Sequence, residues 1–362
     1  MPQNATPYFA HTMPGIERIA WQEIQERLAG ASLQGYKTIP RKNGIVLFDF
    51  AGSESNLSRL ATVEDVFAVL VRIPRVPWGR EGLTQIFQTI SRDRRIGRRL
   101  QHLSPDNKRL RPLRVITRMV GGRQPYRRMD LNRAVEGAFK RIYRQRDGRR
   151  RPSREIEVWA NLIGHDFICG LRLSDAQMRH RDYKTAHTEA SLRPSAAAAM
   201  VWLTRPRDDD VFLDPMCGAG TLLIERANMA RHCLLVGADL DPVSLLAAKE
   251  NLGPRHKPRD LIQWDAGALA LENASVNAIA SNLPFGVRIG SHRANVPLYQ
   301  AFFAEAARVL VPGGKLVVLS SETELVRRAA GEVGALAMQR DYDITILGRS
   351  ARIHVLRRIH HI

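Results

Sequence analysis

The chain has 362 residues, 44% hydrophobic and 25% charged, a globular composition with room for two domains or three small ones. Its net charge of +19 sits in one half: residues 1–205 hold 37 Lys and Arg against 19 Asp and Glu, a net of +18, while residues 206–362 hold 18 against 17. The asymmetry predicts a polyanion such as nucleic acid on the first half and a small cofactor on the second, and the lack of any run of about 18 apolar residues argues against a membrane span.

Met1 to Gly15 has no basic start followed by an apolar stretch, so no secretory signal is expected. The three cysteines, Cys169, Cys217 and Cys233, form no CxxC pair and are odd in number. Neither a disulfide framework nor a cysteine metal site is expected, and a reducing cytoplasm is the default location. His354, His360 and His361 sit near a basic tail and are not read as metal ligands.

From the N-terminus, Tyr8-Phe9-Ala10 begins a strand, Pro14 to Leu28 carries helical apolar spacing, and Gly44 to Phe48 is a second strand. Leu57 to Val63 looks helical and Val66 to Ile73 looks extended, closed by Pro74 and Pro77. A helix over 82–100 precedes a strand at Leu113–Met119 and a basic loop from Gly121 to Arg128. A helix follows at 130–146, then the loop Arg149-Arg150-Arg151, then a hairpin of Glu155–Leu162 and Asp166–Leu173 around Gly164. Residues 176–190 read as a polar linker, and Ser191–Leu203 as a helix with Pro194 in its first turn.

Beyond residue 205 the chain alternates strand and helix. Strands are expected at Val211–Asp214, Leu234–Asp239, Asp260–Trp264, Val276–Ser281 and Lys315–Ser320, with helices at 221–231, 242–252, 297–310 and 322–332. Two more strands fall between Met338 and Arg357. This period is that of a doubly wound sheet, whose ligands lie at the carboxyl ends of the strands.

The first such end is Asp214-Pro215-Met216-Cys217-Gly218-Ala219-Gly220, opening a helix at Thr221. A dinucleotide fingerprint would need a third glycine where Leu223 stands, which weakens an NAD reading. Gly218 and Gly220 still let a ligand lie on the backbone at a helix N-terminus. Asp239, followed by Leu240, ends the second strand, where a carboxylate can accept both ribose hydroxyls. Asp265 ends the third, where it can accept from an adenine amine, beside the N–H of Ala266. The competing reading makes each acid a helix cap or a solvated loop residue, as Asp241 before Pro242 is taken to be.

The fourth strand end is Asn282-Leu283-Pro284-Phe285. A base amine is a poor nucleophile because its lone pair is delocalised into the ring. The Asn282 carbonyl oxygen and the backbone carbonyl of Leu283 supply two acceptors that would draw its protons out of plane and free that pair. Pro284 stiffens the loop, and Phe285 offers a face for an extruded base. The alternative is an Asn-X-Pro turn that merely closes a strand, with Phe285 in the core.

These motifs carry a family resemblance. Residues 205–350 resemble a class I S-adenosylmethionine-dependent methyltransferase. Residues 60–185 resemble a THUMP RNA-binding domain, through the Pro125–Arg128 loop, the helix after it and the Gly170 to Tyr183 stretch. The whole chain is similar to THUMP-containing RNA guanine-N2 methyltransferases. In that family the amine motif is (Asp/Asn)-Pro-Pro-(Tyr/Phe), so Leu283 replaces a proline but keeps its carbonyl. The resemblance implies an α/β fold of four parts: a ferredoxin-like unit at 1–58, a THUMP domain at 59–185, a linker helix at 186–204 and a Rossmann-like methyltransferase domain with a seven-stranded doubly wound sheet at 205–362. It implies S-adenosylmethionine as cofactor, held by Asp214, Cys217, Gly218, Gly220, Thr221, Asp239, Leu240, Asp265, Ala266 and Asn282, with Pro194 and Ser195 over its methionine end. It implies tRNA as partner, gripped at its 3′ end and acceptor stem, with guanosine at position six as the target and no obligate protein partner evident. Candidate RNA contacts are Arg123, Arg127, Arg128, Arg149, Arg150, Arg151, Arg179, Arg181 and Lys184, with Tyr126 and Tyr183 for stacking. An enzyme acting on ribosomal RNA or adenine N6, and a non-catalytic RNA-binding protein, remain the alternatives.

Overall fold

The computed structural model describes residues 5–39, 42–102, 112–122, 124–143, 155–186, 192–286, 291–346 and 348–359. The first half builds one sheet from β1 (Thr6–Thr12), β2 (Ser32–Ile39), β3 (Asn43–Phe50), β4 (Asp65–Ile73), β5 (Leu113–Val120), β6 (Ile156–Ile163) and β7 (Asp166–Arg172). Its seven strands run in the order β2-β3-β1-β4-β7-β6-β5. Antiparallel pairing of β1 with β4 fuses the strands of the two expected N-terminal units into a single sheet.

Helices α1 (Glu17–Arg27), α2 (Arg80–Arg92) and α4 (Arg128–Ile142) pack on this sheet through buried Ile24, Ile86, Val135 and Phe139. The expected 82–100 helix is two helices, because Asp93 ends α2 and accepts the Arg95 N–H at 2.9 Å to start α3 (Arg94–His102). The other sheet face holds an aromatic cluster in which Phe9 and Phe67 stack with centroids 4.5 Å apart. Gly170 on β7 makes room for it: a Cβ there would sit 2.3 Å from the Phe9 ring.

A one-turn helix, α5 (Gln177–His180), leads to α6 (Pro194–Thr204). Pro194 takes the first helical position, where its missing N–H is no loss, and an alanine run follows. Every residue of α6 is buried. Met13, Ile16 and Ile19 from the first half share its core with Phe212, Leu223 and Ala280 from the second. The two halves are thus packed together, and Gly15 comes so close to β13 (Leu336–Ile346) that a Cβ would lie 2.0 Å from the Asp343 carbonyl oxygen.

The second half contains β8 (Val211–Asp214), α7 (Thr221–Met229), β9 (Leu234–Ala238), α8 (Pro242–Leu252), β10 (Arg259–Ile262), β11 (Val276–Asn282), α9 (His292–Val309), β12 (Leu310–Ser320), α10 (Thr323–Val333), β13 and β14 (Arg349–Arg358). Its sheet also has seven strands, ordered β10-β9-β8-β11-β12-β14-β13. The first five are parallel, and β14 is antiparallel to both its neighbours. This is the doubly wound sheet that the strand–helix period predicts, with the seven strands that the family resemblance implies. Among the described residues no helix is long and apolar enough to cross a membrane.

Replacing Gly170 with alanine should destabilise the fold by about 1–3 kcal/mol, as overpacking of a filled core does. Urea denaturation measures it, and an unchanged midpoint would show that the Phe9 ring has room to move.

Candidate active site

Because β10, β9, β8 and β11 are parallel neighbours, their carboxyl ends form one rim. The rim carries Asp265 after β10, Asp239 after β9, Asp214 at the end of β8 and Asn282 at the end of β11. The residues picked from sequence as one site are therefore brought together.

The glycine turn is held by its own backbone. The Cys217 N–H donates to the Ala238 carbonyl at 2.8 Å and the Gly220 N–H to the Cys217 carbonyl at 2.8 Å. The Gly218 N–H donates to Asp239 Oδ2 at 2.8 Å. Gly218 and Gly220 have φ of 51° and 77°, the left-handed region that side chains avoid. Gly220 is the N-cap of α7, and a Cβ on it would come within 3.2 Å of Ala248 on α8.

Asp239 is half-buried, and its Oδ1 accepts the Asp241 N–H at 3.0 Å, so each oxygen keeps one free lone pair. Leu240, next to it, is 62% exposed, an apolar side chain left in water beside a polar turn. Asp265 is exposed, with Oδ1 taking the Gly267 N–H at 2.8 Å, and Ala266 is buried. Asp241 caps α8, accepting from the Val243 and Ser244 N–H groups, as expected. A carboxylate at the second strand end, an exposed apolar side chain beside it and a glycine turn free of Cβ atoms fit an adenosyl group.

Asp214 is fully buried and accepts from Ser281 Oγ at 3.0 Å, which ties the ends of β8 and β11 together. Burial, with the nearby Asp239 charge adding to it, pushes its carboxyl up to about 7. Burial likewise raises the Cys217 thiol, so it is no nucleophile.

Asn282 Oδ1 is buried and has no hydrogen-bond partner among the described residues. Such an orphan costs about 1–3 kcal/mol, which a pocket built to receive a donor recovers when the donor arrives. The loop behind it is tightly held. The Leu283 N–H donates to the Leu319 carbonyl at 3.0 Å. The Pro284 carbonyl accepts from Asn295 Nδ2 at 2.8 Å and from Tyr299 Oη at 2.9 Å. Tyr299 Oη also contacts Ser320 Oγ at 2.8 Å, and Asn295 donates to Glu322 Oε1 at 2.6 Å. Glu322 in turn pairs with His292, and a Cβ on Gly286 would lie 2.7 Å from the same Glu322 oxygen. Phe285 is half-buried, packed partly against the core. Sequence reading missed Asn295, Tyr299, Ser320 and Glu322, because no spacing rule marks a side chain whose target is a backbone carbonyl.

Several expected contacts are corrected. Ser195 is buried and its Oγ contacts Glu64 at 3.4 Å, facing the N-terminal sheet; Pro194 is the buried first residue of α6. Arg179 is spent on Asp65 at 2.5 Å. Arg181 donates to the carbonyls of Met178 at 2.5 Å and Ala61 at 2.8 Å and pairs with Glu225 at 3.3 Å. Lys184 donates to the Leu192 carbonyl at 2.5 Å. Tyr183 donates to Glu225 at 2.6 Å, and Tyr126 is buried in the helical core, so neither ring is free to stack. Internal partners take up these groups. Arg127 and Arg128 are exposed, while Arg123, Arg149, Arg150, Arg151, His360 and His361 lie outside the described residues. Exposed Arg92, Arg94, Arg98, Lys140 and Arg141 on α2, α3 and α4 were not singled out from sequence, because helical arginines also suit a solvated face. Among the described residues no group of three or more His, Cys, Asp or Glu could hold a metal, and His354 pairs with Asp341 at 2.8 Å.

Comparison with known proteins agrees with this geometry. Residues 181–349 match the family model described as UPF0020, RMKL-like, methyltransferase domain. The chain is 31% identical over 219 residues to the Bos taurus tRNA (guanine(6)-N(2))-methyltransferase THUMP3, covering 56% of this chain and 43% of that one. It therefore spans less than half of that relative's length. It is 24% identical over 293 residues to the tRNA (guanine(6)-N2)-methyltransferase of Methanocaldococcus jannaschii, covering 68% and 74%. The crystal structure of TrmN from Thermus thermophilus superposes with a TM-score of 0.77 at 22% identity, over 98% of this chain and all of that one, a likeness of fold.

The Asp214 carboxyl rises from 3.8 to about 7 on folding, so the folded state binds the extra proton between those values. Its contribution to stability is full below the lower value and is lost as pH rises through the upper one. Asp214→Asn should flatten that part of the stability–pH curve, measured by denaturant midpoints at successive pH values; an identical slope in both proteins would refute the assignment.

Proposed function

We propose that the chain transfers a methyl group from S-adenosylmethionine to the exocyclic N2 amine of a guanosine in tRNA, with position six of the acceptor stem as the target. The observation that carries this reading is the unpaired Asn282 Oδ1, buried on the same rim as the glycine turn. The glycine turn, Asp239 with Leu240, and Asp265 with Ala266 suit the cofactor. The relatives' activity on tRNA guanine supports the substrate.

The cofactor, when bound, supplies an electrophilic methyl group on a sulfonium. Asn282 Oδ1 and the Leu283 carbonyl accept the amine hydrogens and so turn the lone pair out of the ring plane. The doubly bonded Pro284 carbonyl keeps that loop from yielding, so catalysis is mainly positioning. Phe285 presents one partly exposed face to a base taken out of its stack. No residue need act as a strong base, because the amine becomes acidic as the new bond forms.

In this reading residues 1–185 grip the RNA 3′ end, as an N-terminal ferredoxin-like unit (1–58) and a THUMP domain (59–185), and residues 186–204 join them to the transferase domain. The exposed Arg127 and Arg128 and the basic helices α2, α3 and α4 suit phosphates, and three free cysteines suit a reducing cytoplasm. Asn282 marks an amine target without separating guanine N2 from adenine N6, or tRNA from ribosomal RNA. Nucleoside mass spectrometry of both RNAs from a deletion strain separates them: loss of N2-methylguanosine from tRNA is expected, and loss from ribosomal RNA alone would replace this reading with its alternative.

Asn282→Ala should lower methyl transfer at least about 100-fold, the scale on which removal of one polar transition-state contact acts. Binding of S-adenosylhomocysteine by calorimetry should stay near wild type, and parallel loss of both would make Asn282 structural. If about six to ten phosphates are contacted, tRNA affinity should fall roughly 10³–10⁵-fold between 50 and 200 mM salt. A shallow salt dependence would count against RNA.

A further inference from the structure

The segment that leaves the N-terminal half does not hang free beside the cofactor turn. It is bound to it through one side chain, Asn251, near the end of α8 and almost completely buried. Its Oδ1 accepts the Thr185 N–H at 3.0 Å and the Ala186 N–H at 2.9 Å. Its Nδ2 donates to the Ala186 carbonyl at 3.0 Å and to the Ala219 carbonyl at 3.0 Å. All the main donor and acceptor capacity of the amide is used. The Thr185 hydroxyl also donates to Oδ1 at 3.3 Å, so four of the five bonds hold the departing segment and the fifth holds the residue between the two glycines of the turn. A second anchor lies on the next helix: Glu225 of α7 is buried and takes both Arg181 Nε at 3.3 Å and Tyr183 Oη at 2.6 Å.

An amide in this position is not needed to build α8. That helix already has Asp241 as its cap, Pro242 at its first turn and Gly253 at its end. Nor does the turn need Asn251 for its shape, since the N–H groups of Cys217, Gly218 and Gly220 already fix it. What the side chain adds is a fixed spacing between the Thr185–Ala186 backbone and the Ala219 carbonyl.

We propose that Asn251 is a positioning residue that couples the seating of the N-terminal half to the order of the cofactor turn. Resting on the function proposed above, this makes RNA on the first half and cofactor on the second affect each other's affinity, equally in both directions as linkage demands. The two halves of the amide are chemically separable. Asn251→Asp keeps an acceptor for the Thr185 and Ala186 N–H groups but sets a carboxylate oxygen against the Ala186 and Ala219 carbonyls. Asn251→Ala removes both halves.

Two measurements on the full-length protein test it. The first needs neither ligand: amide hydrogen exchange of the apo protein. Asn251→Ala should speed exchange at Thr185 and Ala186 and also at Gly220, whereas Asn251→Asp, which keeps the acceptor but repels both carbonyls, should speed exchange at Gly220 as much and at Thr185 and Ala186 less than Asn251→Ala does. Faster exchange at only one segment in Asn251→Ala would overturn the coupling. The second is calorimetric titration with S-adenosylhomocysteine, alone and with saturating total tRNA. Wild-type affinity should change when tRNA is added. In Asn251→Ala the dissociation constant should rise about tenfold, the worth of one or two lost hydrogen bonds, and the tRNA effect should vanish. A tRNA effect of unchanged size in Asn251→Ala would refute the proposal. Failure of the wild type to bind S-adenosylhomocysteine would instead sink the proposed function, and the exchange result would still decide whether Asn251 joins the two segments. Unchanged thermal melting of the variants excludes global unfolding as the cause of either effect.

Discussion

Parallel pairing of β8 with β9 on one side and β11 on the other is the constraint on which the candidate site depends. Parallel strands finish at the same edge of a sheet, so the chain must return through a helix after each one. Every turn that leaves a strand then faces the same cleft. A glycine turn, two acids and an asparagine scattered over some 70 residues of sequence become neighbours for this reason alone. The Ser281–Asp214 bond holds the two central ends in register at the point where an ordinary side-chain pair would let them slide. Its burial is costly, and the upward shift of the Asp214 carboxyl is the visible sign of that cost.

The two sides of the rim are prepared differently. On the glycine-turn side the N–H groups of Cys217, Gly218 and Gly220 are held by Ala238, Asp239 and Cys217, so the shape exists before a ligand arrives. On the Asn282 side the backbone is fixed just as firmly through Pro284, but Asn282 Oδ1 has no hydrogen-bond partner among the described residues. That division suits a reaction in which one ligand is held in a preformed cradle and the other must be made more reactive. An acceptor satisfied by the protein itself would have to break that bond before it could serve an amine, and the cost would fall on the transition state.

How far these features can be read from sequence depends on what kind of contact each residue makes. The strand ends of the second sheet were legible because buried parallel strands are continuous apolar runs that stop at a polar or glycine residue. β2 was missed: Ser32–Ile39 is an exposed edge strand with Gly35 inside it and no apolar alternation to give it away. The helix break at Asp93 was missed because apolar periodicity runs on through it, and only the capping bond to Arg95 reveals it. Asn251 and Tyr299 sit on helices with ordinary patterning. Their targets are carbonyls distant in sequence, and no local rule connects them.

Charge is where sequence and structure part most. Read along the chain, the basic half is a uniform excess of arginine. In three dimensions it divides into two populations. Arg172, Arg179 and Arg193 turn inward on Glu64, Asp65 and Glu157, where a buried acid left without its cation would be costly. Arg181 and Lys184 are spent on Glu225 and on backbone carbonyls along the segment leading to α6. Of these five cations only Arg181 reaches the second half, through Glu225; the others tie elements of the first half together. Among the described residues a second group of exposed cations lies on α2, α3 and α4, from Arg92 through Arg98 to Lys140 and Arg141, with Arg127 and Arg128 at the start of α4, while others such as Arg18, Arg59 and Arg114 lie elsewhere on the first half. For the RNA partner proposed above, this helical face offers exposed cations that the segment leading to α6 does not. The cations along the segment leading to α6 act as internal structure, and in the proposed function the choice of base would fall to hydrogen bonding at Asn282.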